Sequence, residues 1–72
     1  MGMPMNQTQI SALAKIHVAL NPHGLRIHGS GIHRRIRVVL RAEGLIEEDP
    51  VYETIRLTPK GREALASHEP AL

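Results

Sequence analysis

Cysteine is absent from the 72-residue chain. Disulfides, thiolate zinc sites and cysteine nucleophiles are therefore excluded. Phenylalanine and tryptophan are absent too, and Tyr52 is the single aromatic residue. Binding of single strands or RNA loops by base stacking needs several aromatic platforms, so the composition argues against it. No apolar run approaches the roughly 18 residues that cross a membrane. Residues Met1 to Met5 lack the basic and apolar stretches of a signal peptide. Asn6 stands where a myristoylation signal has Ser or Thr. The expected compartment is cytoplasmic, with no membrane contact.

Acidic residues are missing from one long stretch. Between Arg26 and Arg41 there are five arginines and no acid, and between Glu43 and Glu53 five acids and no base. The net charge of +2 conceals this polarity. What the chain does have is aliphatic: Leu, Ile and Val make up 19 of 72 residues, enough for a folded core. The length allows one domain, expected over residues 7–67. Residues 1–6 are read as a disordered N-terminus or expression scar, and 68–72 as a frayed end. A core this small is commonly worth about 3–5 kcal/mol, which favours an extra contact such as a homodimer.

Periodicity predicts a first helix over residues 8–20, with Ile10, Leu13, Ile16, His17 and Leu20 on one face and Thr8 or Asn6 as its cap. Asn21-Pro22-His23-Gly24 ends it. Residues 25–28 alternate as a short strand. A second helix is expected over 31–43, capped by Ser30, with Ile32, Ile36, Val39 and Leu40 buried and Gly44 at its C′ position. A hairpin follows. Its first strand starts at 45–47, its tip is the acidic Glu47-Glu48-Asp49, and its second strand spans 51–57 with Val51, Ile55 and Leu57 inward and Tyr52, Thr54 and Arg56 outward. Thr58-Pro59 then caps and starts a short helix over 59–67, with Ala64 and Leu65 as its apolar contacts.

Two segments carry a family resemblance. Leu40-Arg41-Ala42-Glu43-Gly44-Leu45-Ile46 resembles the junction at which a recognition helix ends and a wing begins. Ile55-Arg56-Leu57-Thr58-Pro59-Lys60-Gly61-Arg62-Glu63-Ala64-Leu65 resembles the wing exit of MarR- and PadR-type transcription regulators. With the preceding helix the likeness covers about residues 30–66. It implies a compact α+β winged helix-turn-helix, mainly helical with a β-hairpin wing. Only nine residues separate Leu20 from Ser30, so the helix that normally braces the recognition helix is at most one turn.

The face opposite the apolar stripe of the second helix carries Ser30, Arg34, Arg37 and Arg41, with His33 beside it, Arg35 on its flank and Val38 outward. Arginine reads guanine bidentately and clamps phosphate, and by the sequence no acid offsets this stripe. Arg26 and Arg56 are further candidate DNA contacts, although Arg56, Lys60 and Arg62 are equally placed to pair with the acidic tip. The histidines His23, His28 and His33 lie five apart and lack helical ligand spacing, so no metal or other cofactor is expected. Neighbouring Glu47 and Glu48 point to opposite sides of a strand, and no catalytic set emerges. The sequence thus points to a non-enzymatic, sequence-specific double-stranded DNA-binding transcription regulator of bacterial or phage type. The alternative is a protein-interaction module on the same scaffold, a phage-type inhibitor or assembly factor, whose arginine face meets an acidic protein partner.

Overall fold

The computed structural model describes residues 6–68. The expected disordered N-terminus and frayed end lie largely in residues 1–5 and 69–72, outside the described residues. Asn6 itself belongs with the helix it caps, and His68 is the last residue of the final helix.

Among the described residues, three helices and three strands follow in the order α1 (Gln7–His17), β1 (Leu25–Arg26), α2 (Arg34–Ala42), β2 (Ile46–Asp49), β3 (Thr54–Leu57) and α3 (Pro59–His68). The α+β class and the hairpin expected from sequence are present. Asn6 starts α1 through a capping box: its side chain accepts from the Gln9 amide at 2.9 Å, and the Gln9 side chain accepts from the Asn6 amide at 3.1 Å. Ala12, Leu13 and Ile16 are its buried residues.

This helix stops three residues earlier than periodicity predicts. Pro22 disfavours helix at Asn21, and the Asn21 side chain instead accepts from the His23 amide at 2.9 Å in a local turn. Leu20 is consequently 99% exposed, not buried. His17 is exposed as well, because the last turn of α1 overhangs an open recess bordered by Pro22, Arg56 and Arg62.

The sheet is antiparallel with order β1-β3-β2, so the returning hairpin strand lies in the middle. Leu25 pairs with Ile55, and Ile46 pairs with Leu57. Gly24 permits the close approach of β1 to β3: its φ is +108°, and a Cβ there would meet the Ile55 carbonyl oxygen. The central position of β3 corrects the sequence reading of Thr54. It is buried, not outward, and its hydroxyl donates to the His23 carbonyl at 2.6 Å.

The hairpin turn also differs from expectation. Val51, Tyr52 and Glu53, expected in the strand, lie in the turn and are exposed. The Asp49 carboxylate accepts from the amides of Val51 (2.9 Å) and Tyr52 (3.2 Å), which bends the chain there. Glu53 completes the turn at φ +53°. Glu47 and Glu48 therefore belong to β2 and not to the tip.

Leu13, Leu40, Ile55 and Leu65 form the core with Leu45, Ile46 and Leu57. Helix α1 packs against α2, α3 and β3, and so closes one side of this cluster. At the end of α2 the Gly44 amide donates to Arg41 and the Leu45 amide to Leu40, with Gly44 at φ +76°. This is a Schellman termination, and it places Gly44 at the C′ position expected from the sequence. The Thr58 hydroxyl donates to the Gly44 carbonyl at 2.6 Å and accepts from the Gly61 amide at 3.0 Å. One side chain thus caps α3 and fastens it to the end of α2.

Candidate nucleic-acid interface

Helix α2 has nine residues, about 13.5 Å of rise, and begins three residues later than expected. Gly29 and Gly31 adopt φ +80° and +76°, a conformation that cannot continue into a helix. Ser30 is not the cap. It is buried, and its hydroxyl accepts from the Ile32 amide at 3.2 Å. The cap is His33, whose Nδ1 accepts from the Arg35 amide at 3.1 Å. Both residues are thus occupied in shaping the entrance to α2. Lys15 of α1 donates to the Ser30 carbonyl at 3.3 Å, tying this irregular segment to the first helix. No helix lies between α1 and α2, and β1 takes up that part of the chain.

The orientation of α2 differs from the apolar stripe read in the sequence. Leu40 is fully buried, and Ile36 and Arg37 are half-buried on either side of it. Val39, expected inside, is 38% exposed. The helix is turned toward Arg37 because β2 offers that side chain a partner. Glu48 reaches from the strand to Arg37 Nη1 (3.3 Å) and Arg41 Nη1 (3.6 Å), one carboxylate oxygen to each. Arg37 Nε is buried and donates to no partner. The sequence reading of an arginine stripe without an opposing acid is therefore incorrect: Glu48 faces it across 11 residues of chain.

Removing Arg37 and part of Arg41 from the outer surface leaves a different exposed row. Arg34, Arg35, Val38 and Ala42 are exposed, and residues three and four apart share a helical face. Arg34 and Arg35 form no ion pair among the described residues. Arg41 remains on the flank with 57% of its side chain exposed. Arg26 is exposed on β1. Arg56 pairs instead with Glu47, its cross-strand partner, at 3.3 Å. Lys60 donates to the Glu43 carbonyl at 3.0 Å.

Sequence reasoning missed two features. Glu48 had a usable signal, since alternation places Glu47 and Glu48 on opposite sides of β2 and only one of them can turn toward the helix. The stack of His23 on Tyr52, with centroids 3.7 Å apart and planes at 12°, joins two distant turns and had none. Among the described residues no helix is long and apolar enough to cross a membrane.

Three helices, a three-stranded antiparallel sheet of order β1-β3-β2 and a helix leading directly into the hairpin define a winged-helix-like domain. Comparison with family models, curated proteins and solved structures finds no match to the chain.

Proposed function

We propose that this domain is a double-stranded DNA-binding transcription regulator that lays α2 in the major groove. The observation that supports this reading is the outward row of α2, with two arginines at its N-terminal end that form no ion pair among the described residues, and no acid within the row. The side chains that reach base edges commonly lie near the start of a recognition helix, while later ones meet phosphate. Arg34 and Arg35 occupy the first position and Arg41 the second. Ser30 and His33 support them by holding the helix entrance. The domain acts by binding and not by catalysis. The likeness to MarR- and PadR-type regulators rests on the junction and wing-exit motifs. Self-association would use the segment just after α1, where Val18 and Leu20 are exposed.

Fluorescence anisotropy on mixed duplexes across a salt series tests the reading. Arg34→Ala is expected to weaken the preferred duplex by about 1–3 kcal/mol and to relax sequence preference. Equal weakening on every duplex would make Arg34 a phosphate contact. Glu48→Gln keeps the shape of the side chain and removes its charge. It should free Arg41 for phosphate, strengthen non-specific binding and steepen the log–log salt slope by about one unit. An unchanged slope would mean that Glu48 does not compete with the backbone.

A second reading is an interaction module for an acidic protein. The exposed Val18 and Leu20 and the missing bracing helix favour it. Absence of duplex binding even at about 50 mM salt, where backbone contacts are strong, would select it.

A further inference from the structure

We infer that Val38 recognises the 5-methyl group of a thymine, so that the duplex bound by α2 carries a T·A pair opposite the middle of the helix. This rests on the DNA-binding reading and specifies its ligand. Val38 is 47% exposed in the centre of the outward row, four residues after Arg34, three after Arg35 and four before Ala42. Leu40 and Ile36 supply the core, so Val38 is not needed there. Helix formation does not call for it either, because a β-branched residue is a poorer helix former than the arginines around it.

Its stiffness suits recognition. Valine in a helix is held almost entirely in one χ1 rotamer, so its two methyl groups are fixed in place before any ligand arrives. Together with Ala42 and the partly exposed Val39 it makes a short apolar strip, bordered by Arg34, Arg35 and the flanking Arg41. The surrounding cations call for a polyanion. Within the major groove thymine is the standard base that presents a methyl group, and small apolar side chains are its usual contacts. The Glu48 bridge contributes by holding Arg37 inward, which keeps the centre of the face uncharged.

The experiment begins with selection of bound duplexes from a randomised pool at about 50 mM salt, where backbone contacts retain weak binders. Each thymine of the selected duplex is then replaced singly by deoxyuridine, which removes the methyl group alone. Affinities are measured for the full-length chain and for Val38→Ala, with circular dichroism confirming that the variant is folded. One position should lose about fourfold in affinity, the worth of one buried methyl group. In Val38→Ala that ratio should fall toward one, and the protein–base cycle isolates the contact from any general weakening. If no thymine is sensitive to its methyl group, or the sensitivity survives in Val38→Ala, the inference is overturned while the DNA-binding reading stands. If the pool yields no bound duplex, both fail.

Discussion

Leu40→Ala is expected to lower the unfolding free energy by about 2–5 kcal/mol, the usual range for emptying a well-packed leucine site. Leu40 is fully buried beneath α2, between α1 and the start of the hairpin. A domain of this size commonly has only about 3–5 kcal/mol to lose, so the variant should be largely unfolded or close to its midpoint at room temperature. Val39→Ala, one residue earlier, provides the contrast. Val39 is 38% exposed, and its truncation should fall near the roughly 0.5 kcal/mol scale of surface changes. Urea unfolding of the two variants checks the rotation of α2 directly. Comparable losses at both positions would return the helix to the orientation suggested by its apolar stripe.

Gly61→Ala should be destabilising, which is opposite to what helix propensity alone would give. Alanine in place of glycine within a helix normally gains about 1 kcal/mol. Here a Cβ at residue 61 would meet the carbonyl oxygen of Leu45, a backbone atom that cannot rotate aside. Relief requires α3 to move off the start of the hairpin, which also strains the bond from the Gly61 amide to Thr58. Overpacking of this kind costs about 1–3 kcal/mol and occasionally more, enough to exceed the propensity gain. A melting temperature above that of the parent chain would show that α3 does not lie so close to Leu45.

Much of the fold was legible because its signals are local. Gly44 announces a left-handed residue, and Thr58-Pro59 a cap and a first turn; each acts on backbone groups within a few residues. The strand expected over 51–57 was misread because the alternation of Val51, Ile55 and Leu57 continues through a turn that the Asp49 side chain makes. Leu20 misled in the same way, since its spacing continues the apolar period beyond the point where Pro22 ends the helix. The candidate site was less legible. Which arginines face outward depends on the rotation of α2, and that rotation is coupled to an ion pair with a strand 11 residues away. A helical wheel contains no information about that partner.

Thr58 has a mechanical consequence. The hairpin leaves from the end of α2 and returns into the start of α3, and the Thr58 amide donates to the Leu45 carbonyl while its hydroxyl spans Gly44 and Gly61. The root of the wing is thereby a welded joint. A load applied at Val51 or Tyr52 is therefore passed along β2 and β3 to a point where both helices share it.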